Sequence, residues 1–392
     1  MNNKSVPDFA IHVPRETTDA TKFAARKSVF KNESVQPLWV ADMDLAAPSF
    51  LQEALHRRIA HPCYGYTVQS TQLKTSVKWW MEQEHALRID LSAISFSPSV
   101  VASISNAIAA FTRSGEGVAL FSPVYERFYS AIRYNQRNVV NIPLLPDQGR
   151  YDIDFASFRK ACAGGKVRLL LFCNPQNPSG RVWTRAELTE LVQICNEFNV
   201  FLFSDEIHSD IVFPPKKHTS ILSVQEVGPK TLVAHSIGKT FNASGLEGSF
   251  LLIPDTGQHK LFQTRAKTTH TADINLLAKT AIKTLLTDQG QVYKKNLLDF
   301  LKQNRDTVKK HLAPMTDLFL MYPESTFLAW INFRETGLSH EKIKEKLIFE
   351  AGLGLSDGRA YGPAGERWFR LNFAVAQTEL KKALEKLSQT FQ

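Results

Sequence analysis

Ser236-Ile237-Gly238-Lys239-Thr240-Phe241-Asn242 follows directly on Thr231-Leu232-Val233-Ala234, a short apolar run. The run reads as a buried strand, so the amine of Lys239 arrives near a strand's C-terminal end. An isolated lysine after a strand is most often a solvated turn residue. An ammonium beside a core strand is instead paired, depressed in pKa, or used as an amine nucleophile. The residues at the ends of the neighbouring strands decide between these readings.

Working outward, Val118 to Phe121, Val167 to Phe172, Val200 to Phe203 and Phe250 to Ile253 are further continuous apolar runs, separated by amphipathic segments such as Arg185 to Phe198. Runs this short suit strands covered on both faces, which predicts an open α/β sheet. After Phe121 comes Pro123-Val124-Tyr125; after Phe172 comes Asn174-Pro175-Gln176-Asn177-Pro178-Ser179-Gly180; after Phe203 comes Asp205-Glu206-Ile207-His208. Parallel strands of such a sheet end on one rim, where ligands collect. An aromatic ring, an amide, a carboxylate and an amine are therefore predicted to converge there.

Each of these residues has a plainer reading. The double Asn-Pro could be a rigid turn, Asp205 a helix N-terminus, His208, within helical reach of Asp205, a satisfied histidine or one that orients Asp205, and Tyr125 simply core. Together they match the needs of pyridoxal 5'-phosphate: an amine for its aldehyde, an acid for its ring nitrogen, a donor for its 3'-oxygen, an aromatic face and N–H groups for phosphate. A carboxylate about 4 Å from the pyridinium is favourable by about 4 kcal/mol at an effective dielectric of about 20, before desolvation. Ser97-Pro98-Ser99-Val100-Val101 announces a helix, with Ser97 as N-cap and Pro98 at the first helical position, and a helix start is a seat for phosphate.

The chain has 392 residues, 43% hydrophobic and 22% charged, enough for a sizeable core in two domains. The formal charge of +9 is spread out. No basic stripe with interleaved aromatics appears, which argues against nucleic acid and fits an anionic ligand. Cys63, Cys162, Cys173 and Cys195 form no C-x-x-C pair, so reduced cysteines in a cytoplasmic protein are expected, with no metal site. No apolar leader or membrane span is evident. Residues Met1 to Asn32 read as an extended or partly helical arm, Leu38 to Asp44 as a strand-like piece ending in acids, and Ser49 to Ala60 as a helix. Helical segments such as Val292 to His311, with strand-like Phe327 to Phe333 and Trp368 to Phe373, read as a smaller α+β unit. Expected boundaries are 1–48 for the arm and part of the small domain, 49–288 for the large domain and 289–392 for the small one.

The order Asn-Pro-x-Asn-Pro-x-Gly, Asp205-Glu206-Ile207-His208, Ser236-x-x-Lys239-Thr240-Phe241-Asn242 and Phe369-Arg370-Leu371-Asn372-Phe373-Ala374 resembles the fold-type I pyridoxal-phosphate enzymes of the aminotransferase class I/II superfamily. Val40 to Asp44, Tyr64-Gly65-Tyr66-Thr67 and Asp205 to Asp210 look nearest the cystathionine β-lyase and cysteine-S-conjugate β-lyase branch. The resemblance implies a large domain with a mostly parallel seven-stranded sheet and a smaller α+β domain. It implies that Lys239 holds the cofactor and serves as general base, Asp205 meets the pyridine nitrogen, Asn177 the 3'-oxygen and Tyr125 the ring face, with His208 beside Asp205. Ser99, Val100, Val101, Ser236 and Tyr66 of a second subunit would hold the phosphate, and Arg370 the α-carboxylate of an amino-acid substrate, Asn177 and Tyr125 helping. The same likeness implies a homodimer. It also implies C–S β-elimination to a thiol, pyruvate and ammonia, with transamination or a regulatory role through a partner as alternatives. Two departures stand out: Pro98-Ser99 where Ala-Gly is common, and Gly238 where Ser is common, which is expected to loosen the turn before the lysine.

Overall fold

The computed structural model describes residues 7–391. Its larger sheet has seven strands, β1 (Ile94–Ser97), β2 (Gly117–Ser122), β3 (Asn138–Pro143), β4 (Val167–Cys173), β5 (Phe201–Asp205), β6 (Thr231–Ser236) and β7 (Ser249–Leu252). Their order is β1-β7-β6-β5-β4-β2-β3, and only β7 runs antiparallel to its neighbours. Alternate residues serve separate cores. Val118, Leu120, Leu169 and Leu171 pack on one face, while Ala119, Phe121, Leu170 and Phe172 pack on the other. Burial on both faces is why these strands read as unbroken apolar runs. The edge strand β3 has no such run, because Asn138 and Pro143 at its ends are exposed and the residues between are mostly half-buried.

The helices that frame the rim are α1 (Ser49–Ala60), α2 (Thr71–His85), α3 (Val100–Phe111), α4 (Glu126–Tyr134), α5 (Arg185–Glu197) and the single turn α6 (Ile237–Thr240). A full capping box between Thr184 and Glu187 opens α5. The start of α3 corrects the sequence reading: the cap is Ser99, whose hydroxyl accepts from the Ala102 N–H at 3.1 Å, and Pro98 precedes it. Ser97 belongs to β1, where its hydroxyl donates to Ser99 O.

Beyond the sheet, α7 (Asp288–Leu312) and α8 (Gln377–Phe391) pack beside a second, antiparallel sheet of β8 (Phe319–Met321), β9 (Leu328–Asn332), β10 (Ser356–Asp357) and β11 (Trp368–Asn372), in the order β8-β9-β11-β10. The strand expected over Leu38–Asp44 does not form. Only Gln36–Pro37 pairs, with Leu353–Gly354. Further on, the Asn372 side-chain amide takes the place of a neighbouring strand, donating to Val40 O at 2.7 Å and Asp42 O at 2.6 Å. An irregular path satisfied by side chains carries no period-2 signal for the sequence to reveal. The arm contains two short helical turns, Thr21–Ala24 and Arg26–Phe30. Lys22 in the first is fully buried against Asp44 at 2.7 Å, and Arg15 bridges Asp42 and Asp44 at 2.7 and 2.6 Å.

Candidate active site

Six parallel strands end on one rim, and a cavity of about 780 Å³ opens between that rim, the second sheet and the arm. Five of them deliver a group to it, and the edge strand β3 delivers none. Asp205 is the last residue of β5, in register between Cys173 of β4 and Ala234 of β6, so its carboxylate is fixed at the middle of the sheet. Lys239 sits in α6, immediately after β6. Asn177, Tyr125 and Val100 follow β4, β2 and β1, and all line the same cavity, as do Ser99, Val101, Ser236 and His208. β7 is reversed, so its start, beside Gly248, faces the rim instead of its end.

The electrostatics are those of a site assembled from mutually strained charges. Burial pushes the Asp205 carboxyl up to about 7; the Ile207 N–H, 3.1 Å away, and the Lys239 charge pull the other way. Burial and then the Arg370 guanidinium lower the Lys239 ammonium to about 8, although Asp42 and Asp205 oppose this. Its Nζ donates to Ala41 O at 2.6 Å. Burial raises the Tyr125 phenol to about 12, keeping it neutral. His208 lies against Phe327 and is held well below the usual imidazole range, first by burial and then by the Lys239 charge. It sits in a turn, not a helix, and its Nδ1 has no partner among the described residues. The helical reach assumed for it from Asp205 therefore does not arise.

Arg370, on β11, is drawn into the cavity by three acceptors. Nη1 donates to Asn177 Oδ1 at 3.0 Å, and Nη2 to Trp39 O at 2.7 Å and Ser356 Oγ at 3.4 Å. Its Nε is buried without a partner among the described residues, and its guanidinium lies 5.1 Å from the Tyr361 ring centroid. A buried guanidinium with an unused N–H suits an incoming carboxylate.

These residues fit pyridoxal 5'-phosphate. Val100 and Val101 open a twelve-residue helix, where backbone N–H groups have no intrahelical acceptor. An acid in the middle of the sheet, an amine from the next strand and a phenol from the loop after β2 border the same space. Ser236 fits less directly: its hydroxyl donates to Gly248 O at 2.9 Å and accepts from the Gly238 N–H at 3.0 Å, so a phosphate contact requires exchanging the first bond.

The family profile described as "Aminotransferase class I and II" matches residues 47–387. The chain belongs to that family. Among aminotransferase class I and II relatives, "Cystathionine beta-lyase PatB" of Bacillus subtilis (strain 168) is 32% identical over 372 residues, covering 94% of this chain and 96% of that protein. Cystalysin from Treponema denticola, solved with a pyridoxal 5'-phosphate cofactor, superposes with a TM-score of 0.94 at 29% identity, covering 98% of each chain. The pyridoxal-phosphate-bound C-S lyase from Staphylococcus hominis gives 0.91 at 26% identity, again covering 98% of each.

Within this family member, Tyr66 is the sequence-predicted site residue that the chain does not bring to its own cavity; it is fully exposed between α1 and α2. At Gly238 the expectation of a loosened turn is corrected. A Cβ there would lie 2.8 Å from Ser244 Oγ and 3.1 Å from Ser244 Cα, so the turn before Lys239 is tightly packed, not loosened. The sequence reading also passed over Tyr361 and the backbone carbonyls of Trp39 and Ala41. Carbonyls leave no trace in residue identity. For Tyr361 the available signal was the turn Ala360-Tyr361-Gly362-Pro363, which resembles many surface loops.

Proposed function

We propose that this chain is a pyridoxal-phosphate-dependent C–S β-lyase that cleaves cystathionine or related cysteine S-conjugates to a thiol, pyruvate and ammonia. The observation that carries the reading is the meeting of Lys239, Asp205 and Arg370 around one cavity, in a chain whose relatives include proteins named cystathionine β-lyase and C-S lyase. When bound, the cofactor supplies a cationic ring that accepts the electron pair left at the substrate Cα.

The chain's own residues do the rest. Arg370 pairs with the substrate α-carboxylate through its planar fork, assisted by Asn177, and so orients the Cα–H bond toward Lys239. Lys239 has its pKa lowered to about 8, so a substantial neutral fraction is available near neutral pH to take the Cα proton. Asp205 would hold the proton of the ring nitrogen, Tyr125 would lie against the ring, and the N-terminus of α3 with Ser99, Val100 and Val101 would receive the phosphate. With a thiolate as leaving group on Cβ, the electron pair at Cα would form the Cα–Cβ double bond as the C–S bond breaks, and the enamine released would take up water to give pyruvate and ammonia.

No described helix is long and apolar enough to cross a membrane. A cytoplasmic location belongs to the same reading, supported by four cysteines of which none is paired in a disulfide. Exposed Tyr64 and Tyr66 support a homodimer in which Tyr66 reaches the partner's phosphate. Reconstituted protein given cystathionine without any keto acid is expected to release pyruvate and homocysteine. Turnover only when a keto-acid acceptor is added would replace the lyase by a transaminase.

A further inference from the structure

Behind the cavity, and not lining it, lies Asp210, a carboxylate with about 1% of its side chain exposed. The Thr240 hydroxyl donates to its Oδ2 at 2.7 Å, and the Trp80 indole N–H donates to Oδ1 at 3.1 Å. His85 Nε2 lies 2.8 Å from Oδ1, Lys294 Nζ 3.9 Å from Oδ1 and His235 Nε2 3.7 Å from Oδ2. Thr240 is the residue after Lys239; Asp210 lies five residues after Asp205, on the loop that leaves β5. One hydrogen bond thus ties the amine's turn to the acid's loop.

We propose, resting on the function above, that Asp210 is a positioning residue which fixes the Lys239 amine relative to Asp205 through the Thr240 hydroxyl. The helical turn α6 has only four residues and cannot hold its own direction. Ser236 Oγ caps its N-terminal end, and the Thr240–Asp210 bond anchors its other end. Stability alone gives little reason to bury this carboxylate, since well-packed apolar groups generally do as well. Against the effect of burial, the Lys294 charge and the His85 contact keep Asp210 ionised. Burial takes His235 down to about 4, so it is neutral, and its two ring nitrogens have no hydrogen-bond partner among the described residues. Farther out, Lys294 pairs with Glu84, and the His85 ring lies 5.5 Å from that of His218, which bonds Glu206 at 3.0 Å.

His85, Asp210 and His235 also offer ligand atoms within 4.8 Å of one another, a spacing a metal ion could use. The Lys294 ammonium supplies positive charge and the indole and hydroxyl supply donors to the carboxylate already, which favours a hydrogen-bonded strut.

The test compares Thr240→Val, which keeps the shape but not the hydroxyl, with Thr240→Ser, which keeps the hydroxyl, and uses Asp210→Asn as a third variant. In the apoprotein, the pH dependence of Lys239 acetylation by acetic anhydride, read by peptide mass spectrometry, reports the amine's pKa without cofactor or substrate. Thr240→Val is expected to raise that pKa by about one unit toward the free-lysine value as the amine gains freedom, with Thr240→Ser unchanged, while Asp210→Asn, which keeps an acceptor for the Thr240 hydroxyl, shows a smaller or opposite change. In the loaded enzyme kcat falls by about tenfold in Thr240→Val while KM stays within about twofold, since Arg370 is untouched. An amine pKa in Thr240→Val equal to wild type, or equal losses in the Val and Ser variants, overturns the strut. So does a stoichiometric metal in the wild-type protein that His235→Ala releases. If the wild type proves not to be a lyase, the acetylation profile still decides the strut on its own.

Discussion

Replacing Lys239 by Met removes a cation that the apoprotein keeps at about 8 rather than the ordinary 10.5. The gap corresponds to about 3 kcal/mol, at about 1.4 kcal/mol per pH unit. The amine's pKa is lower in the folded chain than in the unfolded one. Between the two values the unfolded chain therefore binds more protons, and wild-type stability rises with pH. Near neutral pH the full cost of the buried ammonium is present; above about 10.5 it is gone. Lys239→Met apoprotein is thus expected to fare better against wild type near pH 7 than near pH 11, by about 3 kcal/mol. The lost bond to Ala41 O, 2.6 Å long, subtracts about 1 kcal/mol from the variant at both pH values and cancels in the comparison. Urea unfolding of both apoproteins at the two pH values measures the difference. A gap between variant and wild type that is the same at both pH values would refute a buried, charge-strained lysine.

Asp205→Asn should flatten the pH dependence of apoprotein stability in the opposite range. The carboxyl is raised to about 7 by burial, so wild type loses stability as pH climbs from about 4 through 7, whereas the amide does not; urea midpoints across that range check it, and parallel curves would count against it. Gly238→Ala should cost about 1–3 kcal/mol through overpacking against Ser244, and adding Ser244→Gly should recover only part, because Ser244 Cα itself lies 3.1 Å away. Strict additivity in that double-mutant cycle would mean the two positions do not touch. Arg370→Lys should raise KM by roughly a hundredfold with a smaller change in kcat, since a point charge replaces a bidentate fork; steady-state kinetics with cystathionine decide it, and an unchanged KM would remove Arg370 from carboxylate binding.

The sequence by itself determined the parts list and most of the sheet. Strands buried on both faces must be apolar throughout, so β2, β4, β5, β6 and β7 were visible as runs, and chain order assigned Tyr125, Asn177, Asp205 and Lys239 to the ends of four of them. Only the tertiary structure decided how those groups stand to one another. The path of Leu38–Asp44 depends on the Asn372 amide, more than 300 positions away, and the strain on Lys239 on burial and the Arg370 charge. The tight turn at Gly238 depends on Ser244, and the anchoring of Thr240 on Asp210. The physical reason is that side-chain type follows from local burial and backbone geometry, which neighbouring residues encode. Distances between charges and the satisfaction of buried carbonyls are set by segments far apart in the chain, and these leave no periodic mark on either one.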